Sequence, residues 1–253
     1  MNGHPIIDPR TINKYDFDRI IISLDDLKEG NEGEILKIYD QLRDMDIPDH
    51  KIVLQSFKYM QLHKHHTPRV QFLKNLSELF SKQHIDGAVA ECGVYRGWFS
   101  AMINECFPDR KLYLFDTFTG FDHRDILCED NAAKQWLLDG GYNRLREASE
   151  EMVRLRCPSR SSLIIRKGYV PDTFYDIEDR FAFVNLDMDL YVPQIAALRF
   201  FAPRMNPNGV ILLHDYFNES LPGTRKAVEE FEKEHPVSKF PIGDGLSIVL
   251  FVK

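Results

Sequence analysis

The sequence predicts an α/β fold: a Rossmann-like, doubly wound parallel sheet that ends in an antiparallel hairpin, with a small N-terminal β-α-β extension in front of it. Three observations carry that expectation. From Gly87 onward, short β-branched apolar runs alternate with helical patterns, the signature of parallel strands with helices on both faces. The final runs, Phe240–Ile242 and Leu246–Val252, flank Gly243-Asp244-Gly245, and an Asp-Gly step between alternating apolar residues signals a hairpin. The residues before about position 57 supply a single β-α-β pattern, too short for a doubly wound domain of its own.

In chain order, Phe17–Ser23 reads as a strand, followed by an acidic stretch from Asp25 to Glu34. Ile35, Ile38, Leu42 and Met45 then recur at spacings of three and four, which places them on one helical face. Pro48 interrupts this pattern and Lys51–Leu54 reads as a second strand. A polar linker with His63, His65 and His66 lacks cysteines or carboxylates at ligand spacing, so it reads as a solvated loop and not a metal site. These features divide the chain into an extension over residues 1–66 and a main domain over residues 67–253.

In the main domain, Val70, Leu73, Leu76, Leu79 and Phe80 form the apolar stripe of a helix from Pro68 to about Ser81. Strands are expected at Ala88–Gly93, Lys111–Asp116, Ser162–Arg166, Ala182–Asp187 and Val210–His214. Helices are expected at Trp98–Cys106, Val192–Met205 and Pro222–His235, with a long polar and helical insert over Thr117–Arg160. A parallel sheet closed by a C-terminal antiparallel hairpin is characteristic of class I S-adenosylmethionine-dependent methyltransferases.

The composition narrows the class. With 253 residues, 43% of them hydrophobic, the chain can bury a large core without disulfides. The formal charge of −7 argues against nucleic acid as the main partner, because phosphate binding needs a basic face. Four dispersed cysteines without CxxC spacing read as reduced thiols. No run approaches the ~18 apolar residues of a membrane span, and polar residues interrupt the N-terminus, so a cytoplasmic protein is expected.

Chemistry concentrates where the predicted strands end. Ala90-Glu91-Cys92-Gly93-Val94-Tyr95-Arg96-Gly97 joins a buried strand to a helix. Gly93 would let the backbone approach a ligand, and Gly97 would let the helix start close to the sheet. An acid at Glu91 suits a cationic sulfonium and ammonium ligand, whereas a dinucleotide pyrophosphate favours GxGxxG. Ser100 and the first-turn amides could hold that ligand's carboxylate. Asp116, at the tip of the next strand, is placed to accept ribose hydroxyls, with helix capping as its bland alternative. Phe118 is either an adenine neighbour or plain core.

A second constellation pairs Asn185-Leu186-Asp187-Met188-Asp189-Leu190-Tyr191 with Leu213-His214-Asp215-Tyr216. Asp187 and Asp215 would sit side by side on neighbouring strands, and converging carboxylates repel unless a cation or proton lies between them. An oxygen-rich site suits Mg²⁺, with Mn²⁺ tolerated. Asp189 reads as an outer or capping residue. His214 is open among metal ligand, general base and structural donor.

Ala90–Gly97, Phe115–Phe121, Lys167–Thr173, Asp187–Tyr191 and His214–Tyr216 together resemble the macrocin O-methyltransferase family, in its order and spacing, from about Thr67 onward. The resemblance implies an S-adenosylmethionine-dependent, metal-dependent sugar O-methyltransferase. By it, Glu91, Gly93 and Asp116 correspond to the methyl-donor contacts, and Tyr95, Gly97, Ser100, Thr117 and Phe118 on the same loops complete the candidate donor site. Asp187, His214 and Asp215 correspond to the metal site, with Asp187 and His214 as the catalytic pair. His214 stands where the family has an aspartate. The implied acceptor is a small molecule or glycan precursor, including surface-polysaccharide and phosphoramidate-bearing precursors, and the implied assembly is a homo-oligomer. The insert, with His123, Arg124, Trp136 and Gly140-Gly141, reads as an acceptor lid or an oligomer surface. The extension is similar to part of a nucleotide-sugar-binding module. The rival class is a non-catalytic nucleotide or nucleotide-sugar binding module, and a dehydrogenase is disfavoured by the absence of GxGxxG.

Overall fold

The computed structural model describes residues 8–24, 31–54, 68–141 and 148–252. The linker histidines His63, His65 and His66, and most of the early acidic stretch, lie outside them. The chain forms two compact units, Met1–His65 and His66–Lys253.

In the first unit, strand β1 (Ile20–Ile22) and strand β2 (Ile52–Leu54) pair in parallel, connected through helix α1 (Asn31–Asp44). Both strands are shorter than the apolar runs suggest. A 3-10 turn over Asp49–Lys51 occupies the start of the second run, consistent with the fixed φ of Pro48 before it. Ile22, Ile35, Leu42, Ile47, Ile52 and Leu54 form the buried interior, and Tyr39 donates a hydrogen bond to Asp49.

The second unit opens with helix α2 (Pro68–Gln83), whose buried Val70, Leu73, Leu76 and Phe80 match the expected stripe. Strands β3 (Ala88–Cys92), β4 (Leu112–Asp116), β5 (Leu163–Lys167), β6 (Phe181–Leu186), β7 (Met205–Leu213), β8 (Val237–Pro241) and β9 (Ile248–Val252) form one sheet of order β5-β4-β3-β6-β7-β9-β8. The first five are parallel and the last two join antiparallel. Every residue of β3 and β6 is buried, as strands covered on both faces must be.

Helices α3 (Trp98–Cys106), α4 (His123–Ile126), α5 (Asn131–Leu138), α6 (Glu150–Arg156), α7 (Tyr191–Phe201) and α8 (Gly223–Glu234) complete the unit. The α2, α3 and α6 side chains pack with one set of strand residues and those of α7 and α8 with the other. Within the insert, Asp122, Asp130 and Ser149 cap the helices that follow them.

Two boundaries differ from expectation. The helix expected to reach Met205 stops at Phe201, then a 3-10 turn over Ala202–Arg204, because Pro203 has no amide to continue it. Strand β7 begins there and not at Val210, and pairs with β6 through a register shift between Phe181 and Phe183. The hairpin strands are separated by residues 242–247 instead of by the three-residue turn Gly243-Asp244-Gly245. Asp244 accepts hydrogen bonds from the Leu246 amide at 3.0 Å, the Ser247 amide at 2.7 Å and the Ser247 hydroxyl at 2.5 Å, which builds the wider loop from its own side chain.

Candidate active site

The chain adds β4 and β5 on one side of β3, then β6 and β7 on the other. The carboxyl ends of β3 and β6 are thus the topological switch point, where ligands of open α/β sheets bind. Main-chain bonds extend the sheet there: the Gly93 amide donates to Phe115 at 2.9 Å, Asp187 to Cys92 at 2.8 Å and His214 to Leu186 at 3.0 Å. The loops that follow carry left-handed non-glycine residues at Tyr95 (φ 51°), Phe118 (φ 56°), Asp189 (φ 62°) and Asp215 (φ 59°). Such conformations cluster where a site constrains the backbone.

Gly93 has φ 84°, and a Cβ on it would lie 1.9 Å from the Asp187 carbonyl oxygen. Its lack of a side chain lets the two central loops touch, a closer need than the ligand approach expected for it. Gly97, at φ 79°, leaves room for Val153 of α6, whose Cγ2 would sit 2.9 Å from a Cβ. Asp116 Oδ2 accepts from the Val94 and Tyr95 amides at 2.7 and 2.8 Å, and Oδ1 from the Phe118 amide at 2.7 Å. With a carboxylate offering about four acceptor sites, Asp116 ties the glycine loop to β4 through three of them. Thr117 donates to the Gly120 carbonyl at 2.6 Å, shaping the same turn. Phe118 is 5% exposed and packs in the core.

Beneath this cradle lies a buried polar chain. Glu91 accepts from Ser100 on Oε2 and from Asn185 Nδ2 on Oε1 at 3.0 Å, and all three are buried. Burial pushes the Glu91 carboxyl up to about 8, against the pull of these hydrogen bonds and of Arg69. Ser100, expected to face the donor's carboxylate, turns inward to Glu91 because it lies on the fully buried side of α3. Asn185 Oδ1 accepts from Arg69 Nη2 at 2.9 Å, and the same nitrogen donates to Asp187 Oδ2 at 2.8 Å.

The other oxygen, Asp187 Oδ1, lies 3.2 Å from His214 Nδ1, which also meets Asp215 Oδ2. Asn218 donates to Asp215 Oδ1 at 3.1 Å. Burial opposes ionisation of Asp187, but the His214 and Arg69 charges and hydrogen bonds prevail and hold it well below the usual carboxylate range. Burial likewise lowers His214, yet its two aspartate neighbours raise it to about 10. Asp189 is driven upward by burial and by Asp215 and Asp187. One donor atom each from Asp187, His214 and Asp215 lies within 4.8 Å of the others. The two carboxylates suit a hard divalent ion such as Mg²⁺ or Mn²⁺, while the imidazole makes the set less selective for Mg²⁺ than an all-oxygen site.

The insert is fastened beside this cluster. Glu129 Oε1 accepts from the Tyr191 amide at 2.7 Å, Tyr169 donates to Asp125 at 2.6 Å, and Arg124 stacks on the Tyr169 ring at 3.7 Å. Ala133 and Leu137 of α5 pack with Leu190 and Leu221. The Gly168–Thr173 block thus has a structural role: its tyrosine anchors α4. Arg69 carries no motif that would have marked it, and Asn185, which heads the Asn185–Tyr191 run, carries no sequence signal of its role beyond being a polar residue within the apolar stretch Phe181–Leu186.

The sheet order, the glycine loop at the switch point and the carboxylate at the tip of β4 define a class I S-adenosylmethionine-dependent methyltransferase. Residues 63–244 match the macrocin O-methyltransferase (TylF) family, to which the chain belongs. It is 26% identical over 182 residues to mycinamicin III 3''-O-methyltransferase of Micromonospora griseorubida, covering 67% of this chain and 70% of that protein. It is 23% identical to 8-demethyl-8-(2,3-dimethoxy-alpha-L-rhamnosyl)-tetracenomycin-C 4'-O-methyltransferase of Streptomyces olivaceus, covering 67% of each. Among solved structures, the O-methyltransferase NovP shares the fold at a TM-score of 0.60 and 21% identity, over 72% of this chain and 78% of its own. The calicheamicin methyltransferase CalS11 does so at 0.56 and 19%, over 88% and 93%. Among the described residues no helix is long and apolar enough to cross a membrane.

Proposed function

We propose that the enzyme transfers the methyl group of S-adenosylmethionine to a hydroxyl of a sugar, carried by a small molecule or a glycan precursor. The observation that carries this reading is the convergence of Asp187, His214 and Asp215 at the switch point, beside the loop of Glu91, Gly93, Tyr95 and Gly97 that accommodates the donor. Both curated relatives are O-methyltransferases, and one acts on a rhamnosyl-bearing tetracenomycin. That supports a glycosylated natural product as the first acceptor class, ahead of capsule or phosphoramidate-bearing precursors.

A sugar hydroxyl is a poor nucleophile at neutral pH, so its proton must be taken as the C–O bond forms. Asp187, held ionised by its neighbours, is the base in this reading. A divalent ion held by Asp187, His214 and Asp215 would supply Lewis-acid polarisation of the acceptor oxygen. The lid fastened through Glu129 and Tyr169 excludes water and orients the sugar for in-line attack, where alignment contributes as much as basicity.

The test combines calorimetry with S-adenosylhomocysteine and a methyl-transfer screen over glycosylated polyketides, nucleotide-linked sugars and phosphoramidate-bearing precursors. Asp187→Asn should retain product affinity within about threefold and lose at least about a hundredfold in turnover. Full turnover by Asp187→Asn would remove Asp187 from the chemistry; no binding of S-adenosylhomocysteine would sink the donor site.

A further inference from the structure

Arg69 stands outside every motif, yet it holds a central position at the site. It enters from the start of α2, lays its guanidinium 4.0 Å from the centre of the Phe99 ring, and leaves 14% of its side chain exposed. Its Nη2 alone makes both the 2.8 Å bond to Asp187 and the 2.9 Å bond to Asn185. Its Nε is buried without a hydrogen-bond partner among the described residues, so the group is held for the contacts of one nitrogen. Asp187 is thereby divided: Oδ1 faces His214, and Oδ2 is neutralised by Arg69.

We propose that Arg69 is a built-in counter-cation of the Asp187–His214–Asp215 site, keeping Asp187 aimed when no ion is bound and holding the affinity for divalent ions down. The inference rests on the reading of that cluster as a cation site. Its physical basis is direct. A fixed positive charge on one oxygen of a ligand carboxylate withdraws charge from the other and repels an ion bound there, and in a largely buried setting this repulsion is weakly screened. The flat guanidinium also keeps the carboxylate in one orientation, with Oδ2 on Arg69 and Oδ1 turned to His214. Weak binding by the protein alone makes acceptor oxygens the missing ligands, since a hard divalent ion takes about six. Ion and acceptor would then bind together.

The experiment is a Mn²⁺ titration followed by electron paramagnetic resonance on the full chain, with calorimetry using S-adenosylhomocysteine as the check on folding. Arg69→Gln, which removes the charge and keeps donors, should bind Mn²⁺ at least about tenfold more tightly than wild type. Arg69→Lys should stay close to wild type, and Asp187→Asn should bind none in either background. In the wild-type protein, Mg²⁺ should also move the Arg69 Nε–Hε resonance, a readout that does not depend on any variant folding. Equal or weaker Mn²⁺ affinity in Arg69→Gln, or an Arg69 resonance unmoved at saturating Mg²⁺, overturns the counter-cation role while the ion site stands. No Mn²⁺ binding by wild type and Arg69→Gln alike overturns the ion site and this role with it, and leaves the donor reading intact.

Discussion

At the scale of single residues, chemical type was legible and orientation was not. Glu91, Asp116, Asp187, His214 and Asp215 were marked by their places at strand ends. What each touches depends on loops whose path no spacing reveals, so the three amides on Asp116 and the inward turn of Ser100 emerge only from the fold. Glu91 gives the sharpest residue-level prediction. Its carboxyl titrates near 8 in the folded protein against 4.5 in its ordinary state, because burial penalises the charge. The folded state therefore binds a proton that the unfolded state has released between those values. This contribution to stability is fully present below about pH 4.5 and is lost as pH rises toward 8. Glu91→Gln has no such proton to lose. The difference in melting temperature, wild type minus Glu91→Gln, should become steadily more negative from pH 5 to pH 8; a difference independent of pH would mean Glu91 is already ionised.

At the scale of elements, apolar runs located the strands that are buried on both faces and misplaced the starts of those that are not. Asn206-Pro207-Asn208-Gly209 reads as a loop, yet β7 runs through it, because its pairing is set by β6 across a shifted register. Val237-Ser238-Lys239 is too mixed to announce β8, which is held by β9. The glycines of the β3–α3 loop were legible as a motif, but their separate demands were not. At Gly93 an added Cβ would lie 1.9 Å from the rigid backbone of Asp187, whereas at Gly97 it would meet Val153 less closely, with Cγ2 at 2.9 Å and Cα at 3.1 Å. Both positions also impose the left-handed penalty of about 1–2 kcal/mol. Gly97→Ala should therefore cost at least that amount in urea denaturation. Gly93→Ala should cost clearly more and weaken S-adenosylhomocysteine binding by at least about tenfold, because β3 and β6 can no longer close on each other. Equal losses at the two positions would contradict the backbone collision.

At the scale of the whole molecule, the division into two units decides where function resides. Every residue of the cradle and cluster, from Arg69 to Asp215, belongs to the unit His66–Lys253. That unit contains the complete seven-stranded sheet and apolar layers on both of its faces. A domain of that size buries about 70% of its unfolded surface, enough to fold alone. The first unit has its own small interior around Ile35 and Ile52, but its described residues form a sheet of two strands, and a pair of strands with one helix is marginal in isolation. The expected consequence is asymmetric. A fragment spanning residues 66–253 should melt cooperatively and bind S-adenosylhomocysteine within about threefold of the full chain, a difference below about 0.7 kcal/mol. If the first unit serves acceptor choice, the fragment should lose transfer to the preferred glycosylated acceptor while keeping donor affinity. A fragment that folds but fails to bind S-adenosylhomocysteine would instead place part of the donor site in residues 1–65. Loss of both folding and binding would show that the sheet depends on the extension for its stability.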